Sequence, residues 1–343
     1  SESSQALPGL ASSSFGEQSW VELGQWLRAN APENTVLAVD AAGAIPFYSR
    51  LRTIDMLGLS DRHIAHLRVP TIGVGMPGHE KQDPAYVLAR EPDYIATWLG
   101  EDGSPGWGLD AFLEVGNYDL FLLSLQEENS AGLQRLKPVS PPDYDYSPDR
   151  EKGYKYGVFR RRPGLAAGVI EYNAASPYIK SAIGMRQRDS TATSGWALCT
   201  QPGSSAGLLV FGPYKRAQQG DYRALFRLKG MASSATEIAA TLDVVATTQL
   251  KPGGVLEQRI LARQDLYGSD LQRPDQYRDF VLAFNVDDTA AQGLLELRVY
   301  SGSGSCLCFD RVVIQRLGRD ALAADTQCCQ GSLAQVSPML CMS

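Results

Sequence analysis

The sequence predicts an α/β domain followed by an antiparallel β-sandwich. Three observations carry this. The chain has 343 residues, a length that suits about two domains. Its first half alternates short apolar runs with helix-period segments, which is the pattern of an α/β layer. Its second half is a series of segments that alternate apolar with polar residues between turn signals, which is the pattern of an antiparallel sandwich. The change falls near Pro163. It gives a first domain over residues 20–163 and a second over 164–317, between a flexible leader at 1–19 and a loosely ordered tail at 318–343.

The elements follow in order. Ser1 to Ser14 is rich in Ser, Ala and Gly and reads as a flexible leader. Trp20, Leu23, Trp26 and Leu27 share one helix face, and Ala31-Pro32-Glu33-Asn34 ends that helix. Val36 to Val39 is a short buried strand with Asp40 at its end. Ala41 to Tyr48 is a small helix or turn, and Thr53 to Met56 is a second strand. Ser60 and Asp61 are N-cap residues for a short helix through Leu67. A glycine-rich loop from Val69 to Asp83 leads to a helix at Pro84 to Arg90, with proline in its first turn. Pro92 breaks that helix, and Tyr94 to Trp98, Asp119 to Leu125 and Gly157 to Arg161 are further strands.

In the second half, Gly207–Val210, Tyr222–Leu228, Ile238–Ala246, Phe280–Val286, Leu294–Tyr300 and Arg311–Gln315 read as strands. Turns such as Lys251-Pro252-Gly253-Gly254 separate them.

Composition narrows the function. The net charge of −6 and the absence of a basic stripe argue against nucleic acid as a partner. The one basic cluster, Arg160-Arg161-Arg162, reads as a solvated domain edge. No apolar run approaches the ~18 residues of a membrane span. The chain starts at Ser1, so it reads as processed or excised, and a signal peptide or membrane portion is expected upstream. All six cysteines lie in the second half: Cys199, Cys306, Cys308, Cys328, Cys329 and Cys341. Cys306 and Cys308 share a strand face. The spacings do not match zinc ligands, and both buried thiols and disulfides stay open.

Several motifs bear on chemistry. Gly73-Val74-Gly75-Met76-Pro77-Gly78 matches the G-x-G-x-x-G of dinucleotide folds. However, Pro77 removes an amide donor and Pro70 interrupts the segment before it, so a structural loop is the better reading. His63 and His66 sit three apart on a helix and have the spacing to share a metal with Glu80 or Asp83, against hydrogen-bonded structural roles. Overall no metal site and no catalytic residue is assigned. Asp40, Asp55, Asp61 and Asp83 read as strand-end and capping groups, although carboxylates meeting in space would suit a hydrolase. No G-x-S-x-G elbow is present. In the second half, Phe211-Gly212-Pro213-Tyr214, Gly220-Asp221-Tyr222 and Trp196 offer aromatic rings that can stack on sugar C–H faces, or that simply pack turns.

A longer string carries a resemblance. It runs through Gly43-Ala44-Ile45-Pro46-Phe47-Tyr48-Ser49, Ile54-Asp55-Met56-Leu57-Gly58-Leu59-Ser60-Asp61 and Ile64-Ala65. It continues with Pro77-Gly78-His79-Glu80-Lys81, Asp83, Tyr86-Val87-Leu88 and Arg90-Glu91-Pro92-Asp93-Tyr94-Ile95. This resembles the extracytoplasmic C-terminal region of GT-C glycosyltransferases, of the terminal arabinofuranosyltransferase B type. Gly212-Pro213-Tyr214, Gly220-Asp221-Tyr222 and Leu295-Glu296-Leu297-Arg298-Val299 resemble the jelly-roll, carbohydrate-binding-module-like sandwich that can follow it.

The resemblance implies a non-catalytic, soluble portion that positions an acceptor glycan in cell-envelope polysaccharide synthesis. The polyprenyl-phosphate sugar donor would be used by the full-length enzyme, with no cofactor in this chain. Its implied partners are a cell-envelope glycan and the membrane portion of the same protein. Its implied location is extracytoplasmic, periplasmic or cell-surface. Asp55, Asp61, His79, Glu80 and Lys81 in the first half, and Trp196, Tyr214 and Tyr222 in the second, are the residues expected to contact glycan. A free-standing exported carbohydrate-binding protein and a self-assembling envelope protein are the alternatives.

Overall fold

A computed structural model describes residues 17–70, 72–74, 77–100, 103–126, 134–138, 156–201, 203–250, 256–271 and 274–317. Most of the expected leader and the whole expected tail lie outside these residues. So do the Lys251–Gly254 turn, Gly75, Met76, Cys328, Cys329 and Cys341.

The first unit contains α1 (Glu17–Asn30), β1 (Val36–Val39), α2 (Ala44–Ser49), β2 (Arg52–Asp55), α3 (Arg62–Ala65), α4 (Pro84–Ala89) and β3 (Tyr94–Trp98). It continues with β4 (Tyr118–Gln126), β5 (Gln134–Pro138) and β6 (Tyr156–Arg161). Helix α1 starts inside the expected leader, because its polar first turn shows no apolar period. The strands form one sheet in the order β2-β1-β3-β6-β4-β5. β1 runs parallel to β2 and β3, and the remaining neighbours are antiparallel.

Alternation along β1 explains its burial on both faces. Leu37 and Val39 pack with Leu23 and Leu27 of α1 and Ile45 of α2. Ala38 packs on the other face with Ile64 of α3 and Val87 and Leu88 of α4. Helices therefore cover both sides of the parallel part.

The second unit contains β7 (Val169–Asn173), β8 (Gly184–Arg188), β9 (Trp196–Thr200), β10 (Gly207–Val210), β11 (Pro213–Lys215) and β12 (Gly220–Met231). After these come β13 (Ile238–Leu250), β14 (Leu256–Tyr267), β15 (Arg278–Val286), α5 (Asp288–Ala291), β16 (Leu294–Ser301) and β17 (Cys306–Arg316). One sheet runs β10-β16-β13-β14, with β11 also on β16. The other runs β15-β12-β17-β9-β8, with β7 also on β17. Strict alternation on β12 turns Tyr222, Ala224, Phe226 and Leu228 inward. They share a single core with Leu242 and Val244 of β13, Leu297 and Val299 of β16, and Phe309 and Val312 of β17. This is a β-sandwich: two antiparallel sheets facing each other across one apolar layer.

Cys199 on β9 and Cys308 on β17 stand opposite each other and form a disulfide, while Cys306 is an exposed free thiol. Among the described residues no helix is long and apolar enough to cross a membrane.

The units meet through many polar contacts. Tyr172 Oη donates to the Leu113 carbonyl at 2.7 Å. Asn117 donates to the Val169 carbonyl at 2.7 Å and accepts from the Glu171 amide at 3.0 Å. The Leu113 amide donates to the Arg216 carbonyl, and the Arg216 amide to the Ala111 carbonyl. Two of the three clustered arginines, Arg161 and Arg162, belong to this junction, whereas Arg160 is exposed as the sequence suggested. Arg162 donates to the Gly116 and Glu171 carbonyls, Arg161 to those of Leu165 and Ala166, and Arg160 covers the Phe121 ring. Where the chain leaves β6 for β7, carbonyls lose their sheet partners, and guanidinium groups supply several donors each.

Candidate functional site

Beside the junction opens a cleft of about 390 Å³ with walls from both units. Tyr118, Leu120 and Phe159 form the wall of the first unit, and Tyr178, Lys180, Tyr214 and Lys215 that of the second. Two similar tripeptide-like stretches, Pro177-Tyr178-Ile179-Lys180 and Pro213-Tyr214-Lys215, supply the second wall. They are held side by side because Lys180 and Phe211 exchange backbone hydrogen bonds of 2.9 and 3.0 Å.

Tyr214 is the most unusual residue here. It follows a cis Gly212–Pro213 bond, has φ of 59°, and is 40% exposed. A non-glycine residue in the left-handed region persists only where its surroundings hold it. Two contacts do so. Its hydroxyl donates to Glu296 Oε1 at 2.8 Å, and its ring meets Phe211 edge-on with centroids 6.5 Å apart. Burial of the hydroxyl, then the Glu296 carboxylate, raise its pKa. Glu296 is itself buried and stands 4.0 Å from Arg298, which is locked to Asp243 by two bonds of 2.7 Å. The phenol is thus braced from below while a face of its ring stays open. On the same wall, buried Lys215 has its Nζ 4.5 Å from the centre of the Tyr178 ring and 3.8 Å from Asp110, and Lys180 is exposed. A partly exposed aromatic ring on a cleft wall suits a ligand ring that presents C–H on one side and hydroxyls at its rim.

The other expected contact residues are placed differently. Tyr222 points into the sandwich. It is 3% exposed, its ring stacks on Phe284 at 5.4 Å, and its hydroxyl donates to the Gln218 carbonyl at 2.7 Å. The period-2 alternation of β12 requires this, so Tyr222 offers no ring face to the cleft. Trp196 carries Arg188 over its ring at 4.0 Å, which covers that face, and it is not part of the cleft wall.

Asp55 is 1% exposed and faces no acceptor. Its oxygens take the Leu57, Gly58 and Ser60 amides and the Ser60 hydroxyl, so it folds the turn after β2. Asp61 caps α3 and accepts from Tyr86 Oη at 3.1 Å. Glu80 accepts from the Gly78 amide, and Lys81 donates to the Ala65 carbonyl. His79 stacks on Trp107 at 5.5 Å, and Trp107 donates to Asp40 at 2.7 Å. The first-half residues therefore sit in the loops beyond the parallel strands, away from the cleft wall.

Asp40 is a buried structural carboxylate. It takes hydrogen bonds from Thr97, Trp107, Tyr156 and the Trp98 amide. Burial raises its pKa against these donors, which lower it.

The histidines do not share a metal. His63 contacts Asp83 at 2.9 Å and stacks on Tyr86, whereas His66 turns to the Arg62 carbonyl at 2.7 Å. Among the described residues no cluster of His, Cys, Asp or Glu is placed to hold a metal. The segment with the dinucleotide-like spacing follows helix α3 rather than a strand, and Gly73 and Gly78 both have φ of 82°, as turn residues. It lacks the strand-to-helix setting that phosphate binding needs.

The sequence singled out Tyr214, and the structure places it in this cleft wall beside Tyr178, Lys180 and Lys215, which the sequence did not single out. The repeated Pro-Tyr with a following Lys was the available signal. What it lacked was the pairing that brings the two copies together.

A family model described as a domain of unknown function, DUF8728, matches residues 11–147. No curated protein matches the chain. Among solved structures, the CBM22-1–GH10 modules of xylanase 10B from Clostridium thermocellum are similar at 12% identity and a TM-score of 0.28, over 44% of this chain and 26% of that one. A family 35 carbohydrate binding module from Clostridium thermocellum is similar at 17% identity and a TM-score of 0.27, over 42% of this chain and 97% of that one. A putative sugar binding protein from Bacteroides thetaiotaomicron is similar at 9% identity and a TM-score of 0.32, over 45% and 90%. At such scores the likeness is coarse, and the sandwich of this chain is defined by its own strand pairing.

Proposed function

We propose that this chain is a glycan-binding region that works outside the cytoplasm and positions an acceptor glycan for a membrane glycosyltransferase of the GT-C type. The observation that carries the reading is Tyr214: a tyrosine in a left-handed conformation, braced by Glu296, with a ring face open to a cleft. Stacking on a sugar ring uses the open face, and exposed Lys180 on the same wall can bond hydroxyl or acidic groups of the ligand. The sandwich itself fits a jelly-roll module of the carbohydrate-binding kind. The Cys199–Cys308 disulfide supports an oxidising compartment. Attachment to a membrane portion rests on the motif series from Gly43 to Ile95.

Isothermal titration with arabinan and galactan oligosaccharides tests the binding. Saturable binding is expected, and it should be lost in Tyr214→Ala while the fold is kept. Absence of binding to every oligosaccharide, or unchanged affinity in the variant, would overturn the cleft as a glycan site. The reading frame upstream of Ser1 tests the attachment separately: membrane spans are expected there, and a lone signal peptide would refute it.

A further inference from the structure

A second cavity, of about 340 Å³, lies at the same junction, with Tyr118 in its wall as in that of the cleft. Its lining comes from both units and includes Ala89, Glu91, Glu114, Tyr118 and Arg161 from the first, and Ala167 to Ile170, Gln218, Tyr222 and Arg316 from the second.

Most of its polar groups are committed. Glu91 accepts from the Gly168 amide at 2.9 Å and stands 3.4 Å from Arg161. Arg161 spends its other donors on the Leu165 and Ala166 carbonyls, and Arg316 spends its own on Gln218 and Gln219. The hydroxyl of Tyr118 is not so committed. Tyr118 is 6% exposed, and among the described residues its buried hydroxyl has no hydrogen-bond partner. In this cavity Tyr118 stands in one lining with Glu91, Glu114 and Arg161, none of which lines the cleft. A buried hydroxyl left without a partner costs about 1–3 kcal/mol, so such groups call for an explanation.

We propose that this junction cavity binds a small neutral polyhydroxylated molecule, of about one sugar ring, through Tyr118 and Glu114. The size follows from the volume, which is at the lower end of the roughly 300–1,000 Å³ of ligand pockets. Neutrality follows from the charges: the carboxylates of Glu91 and Glu114 are offset by the guanidinium groups of Arg161 and Arg316. The guanidinium donors are turned to carbonyl and amide oxygens, which leaves little for an anion to take. A ligand rich in hydroxyl groups can donate to the Glu114 carboxyl and exchange a hydrogen bond with Tyr118. Because its walls come from both units, its occupancy would clamp the junction. This site is separate from the Tyr214 cleft and does not depend on it.

The test is thermal unfolding and titration of the full chain with glucose, galactose, arabinose and myo-inositol, with glucosamine and glucuronate as charged controls. At least one neutral compound is expected to raise the melting temperature in proportion to its mass action. Tyr118→Phe keeps the ring and removes only the orphan hydroxyl. It should leave the ligand-free melting temperature unchanged or higher, and weaken binding roughly three- to tenfold. Ala89→Phe places a ring from an exposed lining position into the cavity and should abolish the shift. Tyr214→Ala should leave it intact, even if oligosaccharide binding in the cleft proves absent. The proposal is overturned if no neutral compound shifts the transition, if a charged control binds best, or if the shift survives both Tyr118→Phe and Ala89→Phe.

Discussion

Replacing Gly116 by alanine tests how the two units are joined. Gly116 lies in the turn that precedes β4, directly against the ring of Tyr172 on β7. A Cβ on Gly116 would stand 2.6 Å from Cε1 and 2.8 Å from Cε2 of that ring, far inside ordinary contact. The ring has no room to withdraw. It is 0% exposed, it meets Tyr178 edge-on at 6.1 Å, and its hydroxyl holds the Leu113 carbonyl at 2.7 Å.

Overpacking of a filled site costs about 1–3 kcal/mol. Tilting the ring would also break the junction hydrogen bond, at about 1 kcal/mol. The expected loss is therefore about 2–4 kcal/mol. Urea unfolding of Gly116→Ala, followed by tryptophan fluorescence and by circular dichroism, measures it. The same substitution in a Tyr172→Leu background should cost much less, since the colliding atoms are gone, which gives a coupling of at least about 1 kcal/mol. A midpoint shift worth less than about 0.5 kcal/mol, or full additivity of the two changes, would refute this account of the junction.

Other perturbations have equally definite outcomes. The disulfide between Cys199 and Cys308 closes a separation of 109 residues, so Cys199→Ser with Cys308→Ser should lower stability by about 2–4 kcal/mol and abolish the effect of reductant on the unfolding midpoint. Asp55→Asn removes acceptor capacity from a buried turn and should cost about 1–3 kcal/mol by chemical denaturation; because Asp55 is not in the cleft, oligosaccharide affinity should not change. Burial raises the pKa of Glu114 above its ordinary 4.5. The folded chain then keeps a proton that the unfolded chain has released, so stability falls as pH rises from 4.5 through the raised value. Glu114→Gln mimics the protonated group. It should be more stable than the parent at about pH 7, with the gap closing towards about pH 4, and a gap that widens on acidification would contradict this.

Much of the secondary structure was legible because its cause is local. The burial of β1 shows in the run Val36-Leu-Ala-Val39, and the alternation of β12 shows in Tyr222 to Leu228. The capping roles of Asp61 and Asp83 show in their placement before short helices. β14 was not legible. Its first part, Glu257-Gln-Arg-Ile260, is exposed and mostly polar, as edge strands tend to be, so the apolar alternation fades there. β8, another exposed edge strand, escaped for the same reason.

By itself, then, the sequence marked many of the strands and helices and the sandwich character of the second half, and it singled out the tyrosine that the fold places in the cleft wall. Only the tertiary structure decided which strands run parallel, that Cys308 bonds Cys199 rather than another thiol, that Tyr222 is core while Tyr214 is open, and that Arg161 and Arg162 stitch the junction. The physical reason is range. Period, capping and turn chemistry act over a few neighbouring residues and leave a mark in the string. The cleft and the cavity are made by residues from Ala89 to Arg316, whose proximity is set by strand pairing and by the fit of Tyr172 against Gly116.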